Sequence, residues 1–200
     1  MENLYASLYD DIVSDNPANT NDIGSDIIRT VNGHTDLTSI SNYYSIDEYN
    51  QHIQPTSSTT QHSLSILHLN IRSLQKNYDN LTSFLGCLKI QPHIVALSET
   101  WLKDTNQHLY QLNGYSTYHS CRLNKEHGGV SLLISTDILS EPVQQFTFIS
   151  NIMEMCTVQL KLKTKVIISV IYRPYSKHVA VEEFTHSLSD ILTQELYRKK

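Results

Sequence analysis

Three polar residues follow directly on apolar runs: Asn70 after the segment Ser-Ile-Leu-His-Leu, Glu99 after Ile-Val-Ala-Leu-Ser, and Tyr172 after Val-Ile-Ile-Ser-Val-Ile. Taken singly, each has an everyday explanation: a turn residue, a neighbour of a helix cap, or a half-buried strand aromatic. The recurrence is what carries information. A carboxylate is a hard oxygen ligand for Mg²⁺, an amide can orient a phosphate or a nucleophile, and a phenol can donate to a phosphate oxygen. Delivered to one place by separate strands, the three would make a centre for phosphate-ester chemistry.

Other chemistries lack their residues. The ten histidines contain no H-E-x-x-H arrangement and no close His/Cys pairing, so His68, His93, His119 and His127 read as structural or surface residues. Cys87, Cys121 and Cys156 are odd in number and widely spaced, which suggests reduced thiols rather than a disulfide framework or a zinc knuckle. No G-x-S-x-G elbow, P-loop or G-x-G-x-x-G turn is present.

The charge is uneven. Residues 1–60 hold nine acidic residues and one basic residue, Arg29, whereas residues 61–200 hold eleven acidic and fourteen basic, so the net charge of -5 divides into -8 and +3. The first part shows no sustained helical or strand periodicity and ends in a polar stretch, Gln54 to Gln61, which reads as an acidic, largely disordered leader with a transient helix near Ile46 to Tyr49. Acids stand where a secretory signal needs basic residues and an apolar core, and no apolar run approaches a membrane span. An intracellular protein, nuclear or cytoplasmic, with no membrane partner is expected.

The elements that must position the three residues begin after Ser63. Leu64, Ile66, Leu67 and Leu69 predict a strand covered on both faces. Leu74, Tyr78, Leu81, Leu85 and Leu88 then recur at three- and four-residue steps and predict an amphipathic helix ending near Ile90. A second strand follows over Ile94 to Leu97. Strand, helix, strand is a crossover that gathers Asn70 and Glu99 on one edge of a sheet. Tyr115 to Cys121 and Val130 to Ile134 are further predicted strands. Alternation from Cys156 to Leu162 predicts a half-buried strand, and Lys163-Thr164-Lys165 turns the chain into a return strand, Val166 to Tyr172, whose apolar content reads as central. Val181, Phe184, Leu188, Ile191, Leu192 and Leu196 lie on one helical face.

Five segments carry a specific resemblance: Leu67-His-Leu-Asn-Ile-Arg-Ser-Leu74, Ala96-Leu-Ser-Glu-Thr-Trp-Leu102, Asn113-Gly-Tyr115, Arg122 with His127-Gly-Gly-Val130, and Ile171-Tyr-Arg-Pro174. In order and spacing, over about 140 residues, they resemble the endonuclease domains of non-LTR retrotransposons, a branch of the endonuclease/exonuclease/phosphatase superfamily. The resemblance implies an α/β (α+β) fold, a four-layer sandwich of two sheets with helices outside, hydrolysing DNA phosphodiesters with Mg²⁺ or Mn²⁺. By position it implies a metal-binding role for Glu99, an active-site amide at Asn70 beside the metal, and a phosphate contact for Tyr172. Arg72, Arg122 and Arg173 are candidate substrate contacts. Asn-x-Arg at positions 70 to 72 is closer to the retrotransposon branch than to the repair enzymes, which carry an acid at the third position.

The family's later Asp-x-Asn and Asp-His pairs have no counterpart in matching context; Ser189-Asp190 lies on a predicted helix and is not followed by His. Residues 61–200 are therefore expected to form a partial domain, an incomplete sandwich truncated at its C-terminal side. Without those pairs the attacking water lacks its base and the phosphate a cation or donor, and each such loss costs on the order of 10²- to 10⁴-fold in rate. Little nuclease activity is expected of this chain alone, with DNA as the partner of the complete domain. The alternative is a non-catalytic remnant that binds nucleic acid or protein. A phospholipid or inositol phosphate substrate fits the Asn-Ile-Arg-Ser and Ser-Glu-Thr-Trp segments less well.

Overall fold

A capping box opens the first element, helix α1 (Ile46–His52): the Glu48 amide donates to Ser45 Oγ at 3.3 Å, and the Ser45 amide donates to Glu48 Oε2 at 2.7 Å. The computed structural model describes residues 45–52, 64–122, 127–174 and 179–197. The reading of a disordered leader over residues 1–44 and 53–60 lies outside them. Within 45–52 the transient helix is longer than expected and is docked. Asn50 Nδ2 donates to Cys87 O at 2.8 Å, and its Oδ1 accepts from the Lys89 amide at 2.7 Å. One side chain thereby satisfies a carbonyl and an amide at the end of the next helix, where backbone groups lack intrahelical partners.

The crossover forms as its periodicity requires. Strand β1 (Ile66–Asn70) lies parallel to β2 (Ile94–Ser98), with Asn70 opposite Ser98, and helix α2 (Leu74–Cys87) connects them. Ser73 caps α2 by accepting from the Lys76 amide at 3.2 Å. Leu74, Leu81 and Leu85 are buried against Val95, Leu97 and Leu133, each contributing roughly 1.5–3 kcal/mol. Strands β3 (Tyr115–Ser120) and β4 (Val130–Ser135) complete an antiparallel extension, giving the order β1-β2-β4-β3.

The second sheet is built around β7 (Glu154–Lys161). It is flanked on one side by β8 (Lys165–Tyr172) and on the other by the short β5 (Ser140–Pro142) and β6 (Phe148–Ile149). The inner faces of the two sheets meet: Ile94, Ala96, Val130, Leu132 and Ile134 pack with Cys156, Val158, Leu160 and Val170. Helix α3 (Val181–Tyr197) covers the outer face of the second sheet, where Phe184, Leu188 and Ile191 meet Phe146, Met153 and Met155. Helix, sheet, sheet, helix is the four-layer order expected. Among the described residues no helix is long and apolar enough to cross a membrane.

Three expectations are corrected. Among the described residues β1 is an edge strand paired with β2 alone, and it is not covered on both faces: Ile66 is 54% exposed and the burial alternates. The centre and edge of the hairpin are exchanged. β7 is central and buried almost throughout, whereas among the described residues β8 pairs with β7 alone and is largely half-exposed. On α3, Val181 and Leu192 are exposed, so the apolar face is narrower than the spacing suggested.

Candidate active site

Asn70, Glu99 and Tyr172 converge. Glu99 Oε1 accepts hydrogen bonds from Asn70 Nδ2 at 3.0 Å and from the Tyr172 hydroxyl at 2.9 Å. Asn70 and Glu99 arrive from the same edge of the first sheet, since the parallel crossover places the ends of β1 and β2 side by side. Tyr172 arrives from the second sheet. It shares a face of β8 with Val170, which packs between the sheets, and so reaches across to the first sheet.

The loops carrying these groups are fastened by their backbones. Beyond Asn70, the amides of Ile71, Ser73 and Leu74 donate to the carbonyls of Ser98, Glu99 and Thr100 at 2.9, 2.9 and 2.8 Å. Asn77 Nδ2 reaches back from α2 to Ile71 O at 2.8 Å and holds the turn from within. On the other side, the amides of Thr100 and Trp101 donate to Gly129 O and Gly128 O at 3.1 and 2.8 Å. The backbone is held in left-handed conformations at Arg72 (φ +42°), Ser73 (φ +88°), Glu99 (φ +54°) and Trp101 (φ +55°). Non-glycine residues adopt this region at a cost of about 1–2 kcal/mol each, so the hydrogen bonds on both flanks offset strain at the centre.

Glu154 is a buried neighbour of this centre that sequence reasoning missed. It is fully buried at the start of β7 and lies directly opposite Tyr172 in the β7–β8 register. One carboxylate oxygen is paired with the Arg122 guanidinium, and the other accepts from the Gly129 amide at 2.5 Å. Burial pushes the Glu154 carboxyl above its ordinary range, while the Gly129 amide and Arg122 pull it back down. Arg122, a candidate substrate contact, is thus committed to an internal ion pair. Its neighbour Gly128 has φ +79°, and a Cβ there would overlap the guanidinium. Arg72 and Arg173 are exposed, beside Asn70 and Tyr172 in the chain, and neither supplies the two bonds that fix Glu99 Oε1.

Burial, first, and then the hydrogen bond to Glu99 and the charges of Glu99 and Glu154, push the Tyr172 hydroxyl up to about 12. It is a proton donor at neutral pH. Both of these bonds fall on Oε1 of Glu99, so neither occupies Oε2, and the Asn70 amide spends a nitrogen proton on Oε1, leaving its own carbonyl oxygen available. This donor set is all hard oxygen, which suits Mg²⁺ or Mn²⁺ and not a soft metal. Among the described residues no group of three or more His, Cys, Asp or Glu could hold a metal ion. A cation here would draw one carboxylate and one amide oxygen from the chain and complete its shell with water and phosphate, a common arrangement for Mg²⁺.

An open cleft of about 370 Å³ lies elsewhere, lined by residues including His108, Tyr118, His119 and Gln144, and contains none of the three converging groups.

No family model and no curated protein matches the chain. Solved structures similar to it include the endonuclease domain of TRAS1, a telomere-specific non-LTR retrotransposon, at 11% identity and a TM-score of 0.44 over 66% of this chain and 54% of that one. Another is D. rerio TDP2 complexed with single strand DNA product, at 18% identity and a TM-score of 0.46 over 66% of this chain and 54% of the other. A third is the AP endonuclease LMAP from Leishmania major, at 18% identity and a TM-score of 0.43 over 68% of this chain and 49% of that chain. All three are of the endonuclease/exonuclease/phosphatase fold. The chain spans about half the length of each of these solved structures. At such identities they assign no residue.

Proposed function

We propose that the chain carries the cation- and phosphate-holding part of a DNA phosphodiester hydrolase of the retrotransposon endonuclease type. One observation carries the reading: a single carboxylate oxygen, Glu99 Oε1, accepts from an amide and a phenol delivered by two different sheets, and neither bond uses Oε2. Two fellow polar groups thus fix one side of the carboxylate and set the direction in which the other is presented.

Glu99 Oε2 and Asn70 Oδ1 would hold Mg²⁺ or Mn²⁺, which when bound neutralises charge on the phosphate. The Asn70 amide fixes the orientation of the Glu99 carboxylate. When a phosphate binds, the single hydroxyl proton of Tyr172, retained at neutral pH, would turn from Glu99 Oε1 to a non-bridging phosphate oxygen, leaving the Asn70 amide to hold the Glu99 carboxylate. Arg72 and Arg173, exposed next to these groups, can contact neighbouring backbone phosphates, the contacts that position a nucleic acid without reading its sequence. Glu154, whose carboxyl feels the Glu99 charge, is spent on Arg122 and Gly129 and is not free to take a proton from water. The chain by itself therefore binds better than it cleaves.

The test is binding of a fluorescent single-stranded oligonucleotide, by anisotropy, with and without Mg²⁺. Affinity that rises with Mg²⁺ and falls in Glu99→Gln and Tyr172→Phe is expected, with slow nicking or none of a supercoiled plasmid. Binding indifferent to the cation and to both substitutions would overturn the proposal. The single ionisable metal ligand at the centre favours a second reading, a non-catalytic nucleic-acid-binding remnant. Cation-independent oligonucleotide binding is the outcome that would support it.

A further inference from the structure

Glu154 is fully buried and ionisable, and the hydrogen bonds of its carboxylate go to Arg122 and the Gly129 amide rather than to Asn70, Glu99 or Tyr172. A buried carboxylate is costly unless its partners compensate it, and both of its oxygens have partners that lead to the Glu99 centre. One oxygen accepts from the Gly129 amide at 2.5 Å; Gly129 O in turn accepts from the Thr100 amide at 3.1 Å, and Gly128 O from the Trp101 amide at 2.8 Å. The other oxygen is paired with Arg122, against which Gly128 is packed without room for a Cβ. The 128–129 turn is therefore clamped from both sides by one side chain, and the strained 99–101 segment hangs from that turn. Glu154 also lies opposite Tyr172 in the β7–β8 register, so the residue reaches both halves of the centre.

We infer that Glu154 is a positioning residue: its carboxylate, held between Arg122 and the Gly129 amide, sets the backbone that aims Glu99 toward a divalent cation. The inference rests on the reading of Glu99 as a cation ligand, and the two can fail separately. A partner that orients a metal ligand through another group typically changes metal affinity by about tenfold to a hundredfold when removed.

Trp101 is the only tryptophan of the chain and sits in the suspended segment, so its fluorescence reports on that segment directly. In the full 200-residue chain, Glu154→Gln is expected to shift Trp101 emission to the red and to increase its quenching by acrylamide, with far-UV circular dichroism unchanged. Affinity for Mn²⁺ alone should fall about tenfold. Glu99→Gln, measured beside it, should lose Mn²⁺ binding while leaving the Trp101 emission near that of the unaltered chain. If Glu99→Gln keeps full Mn²⁺ affinity, the cation reading fails, whereas the Trp101 result still decides whether Glu154 sets the segment. Should Glu154→Gln not fold, Glu154→Asp keeps the charge opposite Arg122 and shortens the reach to Gly129, and the same readout applies. A folded variant with unchanged Trp101 emission and quenching overturns the proposal, as does failure of both variants to fold, which would make Glu154 a residue of the core alone.

Discussion

The Tyr172 hydroxyl donates to Glu99 Oε1 at 2.9 Å although the two residues are 73 positions apart and belong to different sheets. The bond forms where the inner faces of the sheets approach one another at the edge that also carries Asn70. Sheet packing, and not local sequence, therefore brings the phenol to the carboxylate.

Removing that donor separates structure from binding. Tyr172→Phe should cost about 0.5–1.5 kcal/mol of stability for the lost hydrogen bond, measured by urea unfolding, while the apolar contacts of the ring are kept. Because burial and the Glu99 carboxylate hold the hydroxyl up at about 12 against an ordinary 10.0, the folded state retains this proton more tightly than the unfolded chain. Its contribution is present below pH 10 and is lost as the pH rises from 10 toward 12, and Tyr172→Phe should remove that part of the alkaline dependence.

Two glycines with the same backbone hand should answer differently to a methyl group. Gly114 has φ +83° and open space where a Cβ would stand, so Gly114→Ala should cost only about 1–2 kcal/mol for the left-handed conformation. Gly128 has φ +79° and would drive its Cβ into Arg122, adding roughly 1–3 kcal/mol of overpacking and disturbing the Arg122–Glu154 pair. Thermal unfolding of the two variants should rank Gly128→Ala well below Gly114→Ala; equal midpoints would mean that the 128–129 turn is not clamped.

His119 should make the fold acid-sensitive. Burial lowers its imidazole from 6.5 to about 4, and Nδ1 is 2.7 Å from Ser131 Oγ. A base whose folded value is depressed stabilises the protein above the unfolded value, and that contribution is lost as the pH falls from 6.5 toward 4, at most about 3 kcal/mol. Unfolding followed between pH 7 and pH 4 should show the loss, and His119→Gln should flatten the part of the slope near pH 5 to 6.

Local periodicity made much of this architecture legible. The step pattern from Leu74 to Leu88 gave α2, and the apolar runs before Asn70 and Glu99 gave a parallel pair with both residues at one edge. Apolar content misled where it stood in for position in the sheet. The run from Val166 to Ile171 is richer in apolar residues than β7 and yet lies at the edge among the described residues, while β7 can be central because its buried polar residues find partners in the segments around it. Thr157 Oγ1 donates to Phe146 O at 2.7 Å and contacts Ser169 Oγ at 2.9 Å, so it is buried without penalty.

Glu154 was invisible for a related reason. A lone acid beside Met153 and Met155 gives no sign of burial, since the groups that compensate it, Arg122 and the Gly129 amide, lie 32 and 25 residues earlier. Arg122 reads as a candidate substrate contact for the same lack of a visible partner. The Gly128-Gly129 pair was the one available signal: two adjacent residues without side chains mark a place where something must come close.

The most direct test is a Mn²⁺ titration followed by electron paramagnetic resonance on the unaltered chain and on Glu99→Gln. One bound ion per chain, displaced by Mg²⁺ and lost when Glu99 carries an amide, is the expected result. Equal Mn²⁺ binding by both proteins would contradict the assignment of Glu99 as the centre of the site.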